Sequence, residues 1–278
     1  MASSLRIGVV APGTRIDQEL AERLARFAAD AFLDRAPEIV FHPQCFLSAG
    51  HFAGDDDART AAFVEFANDP GLDAIWFARG GYGACRMAEA ALAQLNDAAQ
   101  AKTYLGYSDA GALLGGLYAK GFANIAHGPM PVDMMRPGGE GAVRRALAWL
   151  IERAPESVEL GLMFDGKSAA FNIMVLQSML GTSLMPDLAN HVLLLEDVGE
   201  YLYRLDRALF AIASSPGIRQ VKGIKLGRLS DVPENDKPFG ASDVEMIQYW
   251  CKRAGIAYLG RADIGHDVEN KVVPFGAG

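Results

Sequence analysis

The sequence predicts an α/β protein in which a doubly wound parallel sheet is followed by a second, smaller α/β domain. Residues 5–10 form a run rich in β-branched side chains, as expected for a central parallel strand. Further short apolar runs alternate with segments of helical periodicity, and this alternation indicates right-handed βαβ crossovers. From Ala169 onward the order of the elements changes, which indicates that another domain begins there.

The first domain is predicted to span residues 1–150. Its strands are expected at residues 5–10, 39–41, 74–77, 103–107 and 125–126. Its helices are expected at residues 17–33, 57–68, 110–120 and 141–151. The working site of such a sheet lies at the carboxyl ends of its strands, and Arg79, Ser108 and His127 each follow a predicted strand end.

A linker is predicted over residues 151–168, and the second domain over residues 169–278. The strands of this domain are expected at residues 192–195, 223–226 and 257–259. Its helices are expected at residues 172–180, 202–214 and 242–253. Residues 275–278 are expected to form a frayed tail.

Composition and charge narrow the class of protein. Half of the 278 residues are hydrophobic, which is ordinary for a globular protein, and the formal net charge is −8. This charge argues against nucleic acid or an anionic membrane as the main partner. The three cysteines have no C-x-x-C spacing, the first strand leaves no room for a signal peptide, and no apolar run reaches membrane-spanning length. We therefore expect a cytoplasmic protein without a disulfide framework or structural zinc.

One turn has the pattern of a nucleophile elbow. Gly106-Tyr107-Ser108-Asp109-Ala110 joins a predicted strand to a predicted helix, where the usual signature is G-x-S-x-G. Ala110 stands in place of the last glycine and is small enough for strand and helix to pack closely. A Ser-Asp pair at a helix start is also the pattern of a plain N-cap. The turn alone therefore leaves both interpretations open.

A glycine-rich turn, Arg79-Gly80-Gly81-Tyr82-Gly83, follows the third predicted strand. It lacks the Walker and dinucleotide-binding patterns, so it is either a tight turn that needs positive φ or an anion-binding nest. As a nest, one of its amides would form an oxyanion hole with the N–H of Asp109, beside Ser108.

A serine nucleophile needs a base and an orienting carboxylate. Of the five histidines, His127 lies at the end of a strand of the first domain, and His266 lies in an irregular stretch after the last strand of the second domain. Glu196 ends an apolar strand, and Asp197 and Glu200 follow it at once. These acids are equally consistent with a solvated cluster that caps the next helix. The residue pattern alone chooses neither the histidine nor the acid.

Taken together, the motifs resemble the LD-carboxypeptidases, the serine peptidase family S66, which includes murein tetrapeptide carboxypeptidases and microcin C immunity peptidases. The resemblance spans nearly the whole chain. In chain order it rests on Ile7-Gly8-Val9-Val10-Ala11-Pro12, the glycine-rich turn with Arg86, Gly106-Tyr107-Ser108-Asp109, His127-Gly128-Pro129, Leu195-Glu196-Asp197 with Glu200, Tyr203, Asp206 and Arg207, and Gly265-His266.

The resemblance implies a flavodoxin-like N-terminal domain joined to a smaller C-terminal domain, commonly as a homodimer, with no metal or other cofactor. It implies roles for six residues: Ser108 as nucleophile, Glu196 as triad acid, His266 as base, and the amides of Asp109 and the Gly80-Gly81 turn as oxyanion hole. It also implies an expected partner, a murein peptide.

Substrate contacts are harder to assign from the sequence. A carboxypeptidase must recognise a free carboxylate, which favours an arginine near the nucleophile, and Arg79 and Arg86 are the candidates. Either arginine is equally consistent with a structural ion pair. Tyr82 and Asn172 are further candidates. Where the family usually has Gly-Gly-Asn-Leu, this chain has Phe171 in the second position, so we expect Phe171 to alter the pocket.

The leading hypothesis is a metal-independent serine LD-carboxypeptidase that releases the terminal D-alanine of murein tetrapeptides in cell-wall recycling. A second hypothesis keeps the catalysis but makes the substrate a peptidyl or aminoacyl adenylate analogue. A third makes the chain a non-catalytic protein that binds a nucleotide or another anion at the glycine-rich turn.

Overall fold

The computed structural model describes residues 4–160 and 166–277. The strands are β1 (Arg6–Val10), β2 (Glu38–Phe41), β3 (Ala74–Phe77), β4 (Thr103–Gly106), β5 (Ile125–His127), β6 (Lys167–Asn172), β7 (His191–Val198), β8 (Gly223–Ser230), β9 (Tyr258–Arg261), β10 (Val273–Pro274) and β11 (Gly276–Ala277). The α-helices are α1 (Gln18–Phe32), α2 (Asp56–Asn68), α3 (Ala84–Leu92), α4 (Asp97–Gln100), α5 (Gly111–Ala119), α6 (Gly139–Glu152), α7 (Ile173–Met179), α8 (Leu202–Ser214) and α9 (Asp243–Ala254).

The first sheet has the strand order β10-β5-β4-β3-β1-β2, and all its strands are parallel except β10. Both of its faces are buried. In β3, Ile75 and Phe77 enter one hydrophobic cluster, while Ala74 and Trp76 enter the other. A strand covered on both faces needs apolar residues at every position, which is why these strands read as continuous apolar runs.

The second sheet has the order β11-β6-β7-β8-β9, with β6 to β9 parallel. Two sheets of parallel strands with intervening helices confirm the predicted α/β class. Strand β6 was not predicted, because its sequence Lys-Ser-Ala-Ala-Phe-Asn has no β-branched residue, and a helix was expected to begin at its last residue. Helix α3 was also missed. It begins directly after Gly83, whose φ is +140°.

The end of the chain joins the two sheets. Strand β10 pairs with β5, with Val273 opposite His127, and β11 pairs with β6, with Gly276 opposite Ser168. Phe275, between them, is 2% exposed. The expectation of a frayed tail is therefore wrong for residues 275–277. The pairing also holds the stretch that carries His266 close to the carboxyl end of β5.

The predicted linker falls partly outside the described residues. Helix α6 continues to Glu152 and β6 begins at Lys167, but residues 161–165 lie outside the described ranges. None of the helices in the described ranges combines the length and the apolar character of a membrane span.

Candidate active site

Ser108 lies in the turn between β4 and α5 with a left-handed backbone, φ +60°. This conformation costs a residue other than glycine about 1–3 kcal/mol, and such strain clusters at functional sites. Neither Ser108–Ala110, a short 3₁₀ turn, nor α5 has a side-chain cap hydrogen bond at its N-terminus. The Ser108 hydroxyl therefore does not act as the N-cap that its sequence also allowed.

The glycine-rich turn packs directly on Ser108. A Cβ atom added to Gly80 would lie 2.7 Å from Ser108 Oγ and 3.5 Å from the Asp109 nitrogen. Gly81 has φ +101°, and an added Cβ would lie 2.7 Å from Thr14 Oγ1. Asp109 is the second residue of the 3₁₀ turn, where backbone N–H groups lack partners within the helix. The arrangement brings backbone amides beside a hydroxyl, as an oxyanion hole requires.

We expect Gly80→Ala to lower kcat/KM by about 100-fold or more, because the added methyl group would displace the Ser108 hydroxyl from its position. The assay is peptide hydrolysis, with the melting temperature measured in parallel. Gly217→Ala is the matched control, since Gly217 has an ordinary φ of −67° and, beyond its two chain neighbours, the nearest atom to the added Cβ is Ser215 Oγ at 4.0 Å. Equal losses in the two variants would contradict a specific role for Gly80.

Glu196, in β7, and His266, between β9 and β10, form a buried pair. His266 Nδ1 lies 2.5 Å from Glu196 Oε2, and the side chains are 7% and 0% exposed. The register of β7 shifts between Leu195 and Asp197, so Glu196 sits at an irregularity of the kind often found beside active sites. Burial alone would lower the pKa of His266, but the charge and hydrogen bond of Glu196 outweigh it and the pKa is raised.

Two cavities in the described part of the chain open onto both Ser108 and His266. The larger, of about 700 Å³, is lined by Gly81, Tyr82, Cys85, Ser108, Asp109, Ala112, Asn172, Met174, Val175, Ser178, Asp197, Val198, Glu200 and His266. The smaller, of about 280 Å³, is lined by Arg79, Gly80, Gly81, Tyr107, Ser108, Met130, Val132, Met135, Arg136 and His266. The serine and the histidine thus share one solvent-accessible region.

The second imidazole nitrogen, His266 Nε2, is buried and has no hydrogen-bond partner among the described residues, and neither has Glu196 Oε1. Among the described residues, no hydrogen bond joins Ser108 to His266. Catalytic hydrogen bonds are often long without substrate and tighten in the complex. The unpaired Nε2 is the atom that would accept the Ser108 proton.

His127, the other candidate base, is buried and lines neither cavity. Its ring centroid lies 5.5 Å from that of Tyr107, which in turn lies 4.8 Å from that of His266. Burial lowers the pKa of His127 to about 4, although the Glu196 charge partly opposes this shift. His127 is therefore a neutral imidazole packed behind the site.

The three candidate acids occupy different surroundings. Of the three, and within the described residues, Glu196 is the one that forms a hydrogen bond with His266. Asp197 lines the larger cavity and accepts hydrogen bonds from the backbone N–H groups of Met174 and Val198. Glu200 also lines this cavity and pairs with Arg204, with 3.4 Å between the charged atoms. The geometry thus favours Glu196 as the orienting carboxylate.

The protonation of Asp109 makes the free energy of unfolding depend on pH. Its Oδ2 accepts a hydrogen bond from the Ala84 N–H, yet burial raises its pKa from 3.8 to about 6. The folded state therefore binds this proton more tightly than the unfolded state. The stability gained is complete below pH 3.8 and is lost as the pH rises through about 6.

We therefore expect Asp109→Asn, which removes this titration, to gain stability relative to wild type between pH 4 and pH 7, by up to about 3 kcal/mol. The measurement is urea unfolding at several pH values. Asp17→Asn, at a side chain that is 77% exposed, controls for the change in net charge. A stability difference between Asp109→Asn and wild type that does not vary with pH would contradict this account.

Of the candidate substrate residues, Tyr82 and Asn172 line the larger cavity and Arg79 lines the smaller one. Two others do not reach either cavity. Arg86 is held by Asp56 through contacts of 2.7–3.1 Å, so it is a structural ion-pair partner. Phe171 is fully buried and packs on Phe275, with 5.2 Å between ring centroids, so its side chain fills the core rather than the pocket.

Sequence reasoning missed Arg136, which lines the smaller cavity beside Ser108. It follows the short 3₁₀ helix Pro131–Met135, a stretch that carries none of the motifs discussed above. Within residues 4–160 and 166–277, no group of three or more His, Cys, Asp or Glu side chains is arranged to hold a metal ion.

Comparison with known proteins gives a consistent result. The LD-carboxypeptidase N-terminal domain matches residues 7–128, and the LD-carboxypeptidase C-terminal domain matches residues 165–278. A Synechocystis protein named as a carboxypeptidase is 30% identical over 280 residues, covering 98% of this chain and 89% of the relative. The murein tetrapeptide carboxypeptidase of Pseudomonas aeruginosa is 26% identical, covering 98% and 91%.

Two solved structures share the fold. The muramoyltetrapeptide carboxypeptidase of Oxalobacter formigenes has a TM-score of 0.80 at 24% identity, covering 97% of this chain and 93% of its own. The protein MccF, in complex with glutamyl sulfamoyl guanosine, has a TM-score of 0.78 at 18% identity, covering 99% and 92%.

Proposed function

Because the chain belongs to the LD-carboxypeptidase family, we propose that it is a serine LD-carboxypeptidase that releases the terminal D-alanine of murein tetrapeptides in cell-wall recycling. The observation that carries the proposal is the buried Glu196–His266 pair, whose histidine lines the same two cavities as the strained Ser108. The name of the Pseudomonas relative supports the choice of a murein peptide.

The proposed reaction is acyl transfer. Glu196 Oε2 accepts the Nδ1–H of His266, which leaves Nε2 as the basic nitrogen. His266 takes the proton of Ser108 as the oxygen attacks the scissile carbonyl, and Glu196 stabilises the imidazolium that forms. His266 then protonates the departing amine of D-alanine.

Backbone amides stabilise the charge that develops on the carbonyl oxygen. The N–H of Asp109 and an N–H of the Gly80-Gly81 turn are the donors, and one such donor is worth about 3–4 kcal/mol in comparable sites. Water, activated by His266, hydrolyses the acyl-enzyme and restores Ser108.

The proposal includes a cytoplasmic location and a homodimer, both of which stay predictions.

The test is incubation of the protein with a murein tetrapeptide, followed by HPLC of the products. We expect free D-alanine and the tripeptide. No release of D-alanine by the wild-type protein would overturn the proposal. A fluorophosphonate probe gives an independent measurement, since it should label Ser108 covalently, and a non-catalytic anion-binding protein would stay unlabelled.

The structural similarity to MccF supports a second candidate function, that of an amidase acting on peptidyl or aminoacyl adenylate analogues. This candidate uses the same nucleophile and differs in the leaving group. Rates on a tetrapeptide and on an aminoacyl sulfamoyl nucleoside, measured side by side, would separate the two. A higher kcat/KM on the nucleoside substrate would favour the amidase.

A further inference from the structure

The two cavities that meet at Ser108 and His266 differ in charge. Among the described residues that line the smaller cavity, the charged side chains are Arg79 and Arg136, and none is acidic. The described lining of the larger cavity contains Asp109, Asp197 and Glu200 and no lysine or arginine. An anionic group of the substrate is therefore better placed in the smaller cavity.

The cavities also differ in size. The smaller has a volume of about 280 Å³, against about 700 Å³ for the larger. Pockets for drug-sized ligands have volumes of about 300–1,000 Å³, so the smaller cavity suits a single small residue rather than a peptide or a nucleotide. Met130, Val132 and Met135 supply apolar surface there for a short side chain.

We propose that the smaller cavity holds the departing D-amino acid and that Arg136, assisted by Arg79, binds its free carboxylate. This assignment rests on the proposed function, since it names the side of Ser108 on which the leaving group lies. The larger cavity then receives the peptide that becomes the acyl group.

Arg136 is anchored so that part of its guanidinium stays available. Its Nε donates to Asp133 Oδ1 over 3.0 Å, and Asp133 is 1% exposed. Asp133 is fixed in turn by the Tyr107 hydroxyl and the Met130 N–H, each at 2.8 Å. The two terminal nitrogens of Arg136 make no hydrogen bond within the described chain. A guanidinium held through Nε presents them for a bidentate contact with a carboxylate.

Arg79 supplies a second positive charge. Its Nη1 donates to the carbonyl of Arg15 over a long 3.3 Å, and it forms no ion pair within residues 4–160 and 166–277. It immediately precedes Gly80, so it lies beside the proposed oxyanion hole. Arg136 is also paired, with Asp133, but through Nε, whereas Asp56 engages both Nε and Nη2 of Arg86, which lines neither cavity.

The experiment compares a tetrapeptide that ends in a free carboxylate with the same peptide ending in an amide. In wild type we expect kcat/KM to be about 10- to 100-fold higher for the acid, the range of a charge-assisted hydrogen bond. Arg136→Gln should remove most of this preference, chiefly through KM of the acid, and Arg136→Lys should restore part of it. Arg23→Gln, which breaks an exposed pair with Glu140, is the control.

A second arm measures binding without turnover. Calorimetric titration of Ser108→Ala protein with the two peptides should show tighter binding of the acid, and the added Arg136→Gln change should abolish the difference. If wild type released no D-alanine, the proposed function would fail while this arm still tested the carboxylate site. Three results would overturn the inference. Wild type could show no preference for the acid, the preference could persist in Arg136→Gln, or Arg136→Gln could lose kcat/KM equally on both peptides.

Discussion

Replacing Ser108 by alanine is expected to lower kcat for D-alanine release by about 10⁴-fold or more, while the protein stays folded. The change removes the oxygen that would form the acyl-enzyme. It keeps the Cβ atom, and with it the packing against Gly80. The measurement is HPLC of D-alanine at high enzyme concentration, with circular dichroism to monitor the fold.

Ser108→Gly provides a matched comparison. Glycine adopts φ +60° without the strain that serine bears, so we expect this variant to be inactive yet more stable than Ser108→Ala, by about 1 kcal/mol. Together the two variants separate the chemical role of the hydroxyl from the backbone strain. Activity of Ser108→Ala within tenfold of wild type would place the nucleophile elsewhere. Cys85, the exposed cysteine that lines the larger cavity, would be the next candidate.

The first sheet was predictable because its strands are covered on both faces. Residues 74–77 were predicted as a strand, and β3 is Ala74–Phe77, four residues that are all buried. Residues 103–107 were predicted as a strand, and β4 ends one residue earlier, at Gly106. A fully buried strand leaves a local signature, namely an unbroken apolar run, so no knowledge of its neighbours is needed.

The elements that were missed are specified by their neighbours. Strand β6 contains Ser168, Ala169 and Ala170, residues of low strand propensity that are buried between β7 and β11. Strands β10 and β11 have two residues each and exist only because β5 and β6 offer unpaired edges. Pairing across more than a hundred residues of sequence leaves no local signature.

The same limit applies to the site. The residue pattern alone left several histidines and three acids open, and only the resemblance to a family singled out His266 and Glu196. The hydrogen bond between them spans 70 residues of sequence, so no local pattern marks it. Arg86 looked available in the sequence because its partner, Asp56, lies 30 residues upstream.

The Glu196–His266 pair leads to the other large expected effect. Glu196→Gln keeps the size of the side chain but removes its charge, and we expect kcat to fall by about 10²–10⁴-fold, because the imidazole loses both its orienting acceptor and the charge that stabilises its protonated form. Glu65→Gln is the matched control, because Glu65 also faces a histidine, His42, at 3.4 Å, but on an exposed surface outside both cavities.

The pH profile distinguishes this role from a merely structural one. Glu196 raises the pKa of His266 above its ordinary value of 6.5, so the base is protonated, and inactive, at pH values below the raised pKa. In Glu196→Gln that pKa falls, and the acidic limb of kcat/KM should move to lower pH.

The raised pKa of His266 also stabilises the folded protein below pH 6.5, and this contribution is lost as the pH rises through the folded pKa of His266. The difference in the free energy of unfolding between wild type and Glu196→Gln should therefore shrink as the pH rises from 6.5 through the folded pKa of His266. An acidic limb that does not move, with activity reduced only in proportion to lost folded protein, would show that Glu196 stabilises the fold without tuning the base.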